Sequence, residues 1–457
     1  MPLIAIDSTV ENLLKGRAIK KGIESGVLIG VKSENAYNVL YSAPTPPQEE
    51  EALHEPLESK ASPKRRKNPK TPVDFFDKGW IAEHAKQVIR MLPGGVTILG
   101  VYIVTKEDPF ASPIPVRQTI GAITKAVDEA HLDMIKLEID PIVIHVHASS
   151  GKFTGKILEF LSRNLKPVDL ILKPDCGLNW VVLESKLLLK LNLPVTSSES
   201  KVTLRKQIQD ALTIYFKAAK NATVIFDDQF RDDSELLVPK SQKSKRKHAA
   251  DEEEEAKSMN VALLFPYPEM PSFALEPCVG MIRLTGMMTI RALVNSKVSV
   301  KEAKEAIFED ILRSLWSRCD LHCDSLIGEE QRGPLDSKPV IHEPPRRVIV
   351  QLKSPLFISD YLFPGETVKE SLPSIGEPFD LYLTEDDVDD TYERPAAMED
   401  FMSHSANDTI EPDENPALQS LSNATPVLSP ILLPLGVAVA FVAIAISYIL
   451  LQQDESL

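Results

Sequence analysis

The cysteine and histidine residues are the side chains whose spacing could support metal binding. Cys319 and Cys323 lie one helical turn apart with His322 beside them, and His145 and His147 share one face of a predicted strand. A structural zinc site needs four ligands, and no second cysteine pair accompanies either group. The pattern favours buried thiols and a pair of partly exposed strand histidines over a metal site. We therefore expect no bound metal and no cofactor.

Nucleophilic catalysis has equally little support in the sequence. Cys176 lies in the turn-like segment Pro174-Asp175-Cys176-Gly177, and no motif pairs it with a general base. The chain contains no G-x-S-x-G elbow, no P-loop and no G-x-G-x-x-G fingerprint. We therefore expect a protein without enzymatic activity, in which Cys176 is a turn residue.

Charge and composition narrow the partners that the chain can take. The 457 residues are enough for two or three domains, and their net charge of −15 argues against general affinity for nucleic acid. Basic clusters at 64–67 and 243–247 match the composition of nucleic-acid patches, but neither is interleaved with aromatic residues. We predict that both clusters are solvated loops and that the protein binds no nucleic acid.

Residues 1–237 have the pattern of one α/β domain. Asp77 is the candidate N-cap of an amphipathic helix that ends at Pro93-Gly94-Gly95. A buried-type strand follows that stop signal. The predicted strands cover 26–31, 37–43, 96–104, 141–147 and the apolar stretch 181–191, and the predicted helices cover 78–92, 156–165 and 204–215.

The remainder of the chain alternates charged and folded segments. Residues 238–258 join a basic block to an acidic block and predict a disordered linker. Residues 259–384 predict a second α/β region, or one that completes the first, with a capping box of Ser299 and Glu302. Its predicted elements are a strand over 281–294, a helix over 299–316 and strands over 348–352 and 356–363. Acidic residues over 385–430 predict a flexible tether, about 35 Å in r.m.s. length.

Residues 431–451 predict a transmembrane helix. The segment holds no charged residue, and a helix of about 21 residues is about 31 Å long, which matches a bilayer core of about 30 Å. The first residues form no apolar signal segment. We therefore expect a tail anchor that contacts the lipid bilayer, with the bulk of the chain in the cytosol. Representative residues of the predicted span are Ile431, Leu435, Phe441, Ile446 and Leu451.

The order of the first predicted elements resembles the MPN domain, the fold of the JAMM metallo-isopeptidases. That family's two zinc-binding histidines, serine, metal-binding aspartate and catalytic glutamate fall here on Ile103, Thr105, Pro113, Val116 and Ile23. Glu24 lies one residue from the glutamate position and faces the other side of its strand. The expected fold class is therefore α/β (α+β), with an MPN-like domain that lacks the JAMM metal site, plus the C-terminal transmembrane helix.

A second resemblance covers more of the chain. The block WIAEHAKQVIRMLPGG at 80–95 resembles the Odr-four-like family, and the segments 25–30, 44–50, 283–286 and 345–347 fit it as well. The resemblance implies a non-enzymatic, membrane-anchored adaptor at the endoplasmic reticulum. Members of the family are linked to the cysteine protease that removes the ubiquitin-fold modifier, and to the trafficking of multi-pass receptors.

The first hypothesis from this resemblance is an adaptor that recruits the modifier-specific protease to the endoplasmic reticulum membrane. The alternatives are an adaptor for folding or export of multi-pass receptors, and, as a different class, an active isopeptidase. The helix over 78–92 and the strand after it are expected to form part of the pairing surface. The residues predicted to contact the partner are Trp80, His84, Gln87, Val88 and Met91.

Overall fold

The computed structural model describes residues 2–48 and 77–394, apart from 22, 34, 137–138, 161, 197–202, 240–256, 267–277, 331–339 and 343. Residues 1–396 form one compact unit. The basic clusters, most of the charged linker, the tether beyond 394 and the predicted span lie outside the described residues. Within the described ranges, no helix combines the length and the apolar character needed to cross a membrane.

The helices and strands of this unit alternate along the chain. The helices are α1 (Ser8–Lys21), α2 (Lys78–Met91), α3 (Pro113–Ala130), α4 (Leu204–Lys220), α5 (Val300–Glu330) and α6 (Val368–Phe379). The first strands are β1 (Leu3–Ile6), β2 (Glu24–Ser33), β3 (Ala36–Pro44), β4 (Thr97–Thr105), β5 (Ile142–His147), β6 (Phe153–Leu158), β7 (Leu165–Val168) and β8 (Leu170–Leu172). The later strands are β9 (Trp180–Thr196), β10 (Thr223–Phe226), β11 (Gln229–Phe230), β12 (Lys257–Leu264), β13 (Cys278–Asn295), β14 (Val340–His342), β15 (Arg346–Lys353), β16 (Leu356–Leu362) and β17 (Val388–Asp389).

The first sheet has the strand order β7-β6-β5-β4-β2-β3-β1-β8 and curls back on itself. Strands β7 and β8 end the order on opposite sides, yet Gly155 of β6 faces Leu170 of β8, where an added Cβ would lie 3.0 Å from the leucine Cδ2. One face of the sheet packs on α1, and the other face carries α2, α3 and α6. Strands β4 and β5 are parallel and lie between these layers, and most of their side chains are buried.

The second sheet combines strands from both sides of the charged linker. Its order is β11-β10-β12-β9-β13-β14, and β9 pairs with β13 along their whole length from Trp180↔Asn295 to Thr196↔Cys278. Helices α4 and α5 cover it and bury a second core. Residues before 237 and after 257 therefore contribute neighbouring strands to one sheet.

The third sheet extends the folded unit further along the chain than the acidic composition predicts. Its order is β16-β15-β17, and the short strand β17 pairs with β15 at Val350↔Val388. Beyond it, Glu393 is 4% exposed and bonds to Arg318 and Arg347. The prediction of a tether from 385 is therefore wrong for residues 385–394, because long-range ion pairs and a strand pairing hold them.

Most predicted elements are present, with one wrong assignment. The segment predicted as a helix over 156–165 instead contains the end of β6, a turn and the start of β7. Its residues alternate with a period of two, since Gly155 and Ile157 are buried whereas Thr154 and Lys156 are not. Helices α1, α3 and α6 were not predicted. Helix α3 begins with Pro113. Proline is common in the first helical turn, but it is also common in loops, so it did not indicate a helix here.

Candidate partner-binding site

Helix α2 is positioned by its cap and by its apolar face. Asp77 is the N-cap, and its carboxylate accepts hydrogen bonds from the backbone N–H of Gly79 at 2.7 Å and of Trp80 at 3.3 Å. These bonds hold the pKa of Asp77 below its ordinary value. The helix packs against α3 and covers the outer face of the first sheet. The predicted N-cap is thereby confirmed.

The structure divides the five predicted contact residues between two environments. Trp80 is 40% exposed and Gln87 is exposed, on the solvent face of α2. His84, Val88 and Met91 are buried, because their i, i+4, i+7 spacing places them on the core face. Of these five residues, only Trp80 and Gln87 are accessible to a partner.

The buried histidine on α2 joins three elements. The Nε2–H of His84 donates to the carbonyl oxygen of Pro378 at 2.8 Å, and its Nδ1 lies 3.3 Å from the Thr45 hydroxyl. Because a carbonyl only accepts, this geometry requires the proton on Nε2, so Nδ1 accepts from the hydroxyl. Burial lowers the pKa of His84, and the hydrogen bond to Pro378 opposes that effect. His84 therefore serves as a neutral structural link between α2, the segment after β3, and α6.

A cavity of about 420 Å³ lies beside Trp80. Its walls come from Ile23 and the start of β2, and from the segment after β3. The indole Nε1–H of Trp80 donates to the Pro46 carbonyl at 2.8 Å, which fixes the ring at the edge of the cavity. Ile23 is 47% exposed at the same edge. An apolar surface with a fixed tryptophan has the composition that protein interfaces favour.

Ile103 and Thr105, at the predicted positions of the zinc-binding histidines, and Glu24, next to the predicted glutamate position, make structural contacts. Ile103 is 5% exposed in the outer core, and Thr105 donates its hydroxyl to the Glu107 carbonyl at 2.7 Å. Glu24 is 7% exposed and accepts a hydrogen bond of 2.7 Å from the Tyr102 hydroxyl. That hydroxyl in turn accepts from Arg17 at 2.9 Å. Sequence spacing gave no signal for this Arg17–Tyr102–Glu24 cluster, because its members come from α1, β4 and β2.

The strand histidines lie directly beside those positions. In the parallel pairing of β4 and β5, Ile103 pairs with His145 and Thr105 pairs with His147. His145 is 5% exposed rather than partly exposed, and its Nε2–H donates to the Thr105 carbonyl at 3.2 Å. Burial lowers the pKa of His145. His147 Nδ1 accepts from the N–H of Ser150 at 3.2 Å. No cluster of three or more metal-ligating side chains occurs in the described residues.

The thiols of the described cysteines are buried. Cys319 is 1% exposed, and burial raises its pKa. Cys323 is 5% exposed, and burial raises its pKa to about 11. Cys176 is 5% exposed in a 3₁₀ turn, with its Sγ 3.4 Å from the Val39 carbonyl. Burial of Cys319 and Cys323 agrees with the prediction of buried thiols, and thiols with a raised pKa are poor nucleophiles.

Comparisons with known proteins agree over nearly the whole chain. The family model described as "ODR4-like: Odorant response abnormal 4-like" matches residues 26–390. The chain is 27% identical to "Protein odr-4 homolog" of Homo sapiens over 90% of each chain, and 25% identical to that of Mus musculus over 97% of this chain and 98% of the other. "Odorant response abnormal protein 4" of Caenorhabditis elegans is 23% identical over 70% of this chain and 67% of its own.

Among solved structures, the chain is similar to the "Crystal structure of UfSP from C.elegans". The TM-score is 0.39 and the sequence identity is 9%, with 83% of this chain and 57% of that chain covered.

Proposed function

The chain belongs to the ODR4-like family, and on that premise we propose that it is a non-enzymatic adaptor. It is anchored in the endoplasmic reticulum membrane through residues 431–451, with residues 1–396 in the cytosol. There it binds the ubiquitin-fold-modifier-specific cysteine protease and holds it at the membrane. The first sheet with α2 and α3 is the MPN-like part, in which the JAMM metal site is lost.

The proposal of a non-enzymatic protein rests on the residues at two positions of strand β4. Zinc needs imidazole, thiolate or carboxylate ligands. The two β4 positions hold Ile103, which has no donor atom, and Thr105, whose hydroxyl is bonded to a backbone carbonyl. The nearby Glu24 is engaged by Tyr102. A general acid or base must reach the substrate, and we propose that the buried Glu24 carboxylate has a structural role instead.

The adaptor role rests on exposed apolar surface and on local concentration. Trp80 and Ile23 present such a surface at the edge of the 420 Å³ cavity, and an aromatic anchor next to a pocket is the usual centre of a protein interface. A membrane anchor raises the concentration of the bound protease at the surface without adding any contact. Binding and anchoring are therefore separable.

The test is co-purification of the protease with this protein from detergent extracts. Deletion of 431–457 should leave the complex intact but soluble, whereas Trp80→Ala should weaken it. Phe230→Ala is the matched control, because Phe230 is an exposed aromatic on the second sheet at 72% exposure. A protease that stays at the membrane in cells without this protein contradicts the recruitment role.

The absence of catalysis has its own test. Purified protein supplied with Zn²⁺ should neither retain the metal after dialysis nor cleave a lysine-linked isopeptide substrate. Retained stoichiometric zinc with cleavage would instead support the isopeptidase hypothesis.

A second candidate function is an adaptor for folding or export of multi-pass receptors. The name of the Caenorhabditis elegans relative, "Odorant response abnormal protein 4", refers to odorant response, which favours a receptor client. Deletion of this protein should then retain the client in the endoplasmic reticulum even where the modifier protease is catalytically inactive. Normal client export in the deletion strain would exclude this role.

A further inference from the structure

A second, larger cavity lies on the outer side of α3. Its volume is about 830 Å³, within the range of specific binding sites. One wall is the face of α3 from Ile114 to Asp128, and the opposite wall is the start of β5 with the β6–β7 connection. The helix rises by about 21 Å from Ile114 to Asp128. We call this the α3 groove; the residues that line it are distinct from those around Trp80.

Both walls of the α3 groove expose a large apolar side chain. Ile114 on α3 is 63% exposed, and Phe160 after β6 is 66% exposed. The backbone N–H of Phe160 donates to the Asp140 carboxylate at 2.8 Å, so the phenylalanine is held at this position although its ring has few neighbours. Side chains of this size exposed on opposite walls give an apolar segment two surfaces to cover.

Four basic and four acidic side chains line the α3 groove, but its two arginines take no part in the ion pairs. Its four acidic residues each have a lysine partner, in the pairs Lys136–Asp128, Lys136–Asp133, Lys125–Glu129 and Lys166–Glu159. Arg117 and Arg163, which also line the groove, have no acidic partner among the described residues. The Nε of Arg117 is buried without a hydrogen-bond acceptor in the described part of the chain. The groove therefore offers two guanidinium groups to a carboxylate ligand.

Gly121 lies on the floor of the α3 groove, and the space next to it is open. A Cβ added at Gly121 would meet no described atom within 4 Å, so nothing in the fold requires a glycine there. Glycine inside a helix costs about 0.5–1 kcal/mol relative to alanine. Because Gly121 has no side chain, nothing projects into the groove from this position in the middle of the helix face.

We propose that the α3 groove binds an acidic, apolar segment of a partner protein. Carboxylates of the segment pair with Arg117 and Arg163, and its apolar side chains cover Ile114 and Phe160. Length favours a chain segment over a small anion, because the helix face spans several turns. The proposal goes beyond the adaptor role, since it concerns a separate surface and does not depend on the identity of the protease partner.

The test selects peptides for binding to the full-length protein in detergent. A displayed library of random 16-residue peptides is selected on the unchanged protein and counter-selected on Gly121→Trp, which fills the groove. Fluorescence anisotropy then measures the affinity of the enriched peptides. Gly121→Ala is the control for Gly121→Trp, because it adds only a methyl group to the open floor.

The expected result is an enriched pool in which Asp or Glu accompanies Phe, Leu, Ile or Met. The double variant Arg117→Glu, Arg163→Glu should weaken those peptides by about tenfold or more, since it replaces two attractive charges by repulsive ones. Gly121→Ala and the exposed control Lys217→Glu should bind as the unchanged protein does. Affinity should fall as salt concentration rises.

Other outcomes overturn the proposal. These are a selection without groove-dependent enrichment, a pool of basic or uncharged peptides, and affinities that the double charge reversal leaves unchanged. Inorganic phosphate that displaces the peptides stoichiometrically would also overturn it, because it would identify a site for small anions. Melting temperatures of all variants show that the comparison is made on folded protein.

Discussion

Replacement of Glu393 by glutamine tests where the folded unit stops. The Glu393 carboxylate accepts two hydrogen bonds of 2.7 Å from the Arg318 guanidinium, and one each from the N–H groups of Thr289 at 2.6 Å and Arg347 at 2.8 Å. Burial alone would raise the pKa of Glu393, but the charge and hydrogen bonds of Arg318, with the two backbone bonds, outweigh it and lower that pKa. The carboxylate is therefore ionised in the folded state at neutral pH.

The expected cost of Glu393→Gln follows from burial of both partners. The side chains of Arg318 and Glu393 are each 1% exposed. Removal of one member of a buried ion pair leaves the other charge uncompensated and costs about 3–5 kcal/mol. With an unfolding entropy of about 2.1 cal/mol/K per residue, the unit 1–396 has about 0.8 kcal/mol/K in total. The melting temperature should therefore fall by about 4–6 °C.

Thermal unfolding of the full-length protein, followed by circular dichroism, measures this shift. Glu385→Gln is the matched control, because Glu385 is 55% exposed and its pair with Lys369 is separated by 3.4 Å. Exposed pairs contribute about 0–1 kcal/mol, so the control should move the midpoint by about 1 °C or less. If Glu393→Gln has the same melting temperature as Glu385→Gln, residues 385–394 do not belong to the folded unit and the prediction is wrong.

Further predictions concern α2 and the thiols. Burial lowers the pKa of His84 in the folded state, so below about pH 6.5 the unfolded chain binds more protons and the free energy of unfolding falls with the pH. His84→Gln should therefore reduce the difference between the melting temperatures at pH 7.5 and pH 5.5. An unchanged difference would refute this prediction. Met91→Ala should cost about 2–5 kcal/mol as a core truncation, whereas Trp80→Ala should cost about 1 kcal/mol for one lost hydrogen bond. Urea titration measures both, and equal losses would contradict the division of α2 into two faces. Iodoacetamide at pH 7.5 should modify Cys319 and Cys323 only after unfolding, since burial raises the pKa of both thiols. Mass spectrometry measures the labelling, and rapid modification of the folded protein would show that the thiols are accessible.

Local signals predicted the elements around the candidate site well. The cap at Asp77, the apolar period of the helix and the stop at Pro93-Gly94-Gly95 place α2 and β4 within one residue of their bounds at either end. The same period could not show whether the apolar face meets the core or a partner. His84, Val88 and Met91 belong to the core for that reason, although they were predicted as contacts.

Contacts between distant residues were outside the reach of pattern analysis. Glu393 and Arg318 are separated by 75 positions, and the acidic composition around Glu393 indicates a solvated tether. The Arg17–Tyr102–Glu24 cluster likewise joins three elements. The sequence held one weak signal for the α3 groove. Ile114 and Phe160 are large apolar residues that do not fit the apolar periodicity of the buried positions around them. The family resemblance is confirmed by the match over residues 26–390.

The second sheet imposes an order on synthesis of the chain. Strand β9 is made first, and both of its neighbours, β12 and β13, come from residues 257–295. A ribosome adds about 5–20 residues per second, so roughly 100 residues between the end of β9 and the end of β13 correspond to about 5–20 s. Until β12 is made, both edges of the nascent β9 are unpaired, and the edge that β13 takes stays unpaired until Asn295. An unpaired edge is the state in which strands recruit foreign strands. Expression of this protein should therefore depend on holdase chaperones that shield β9 until translation passes Asn295.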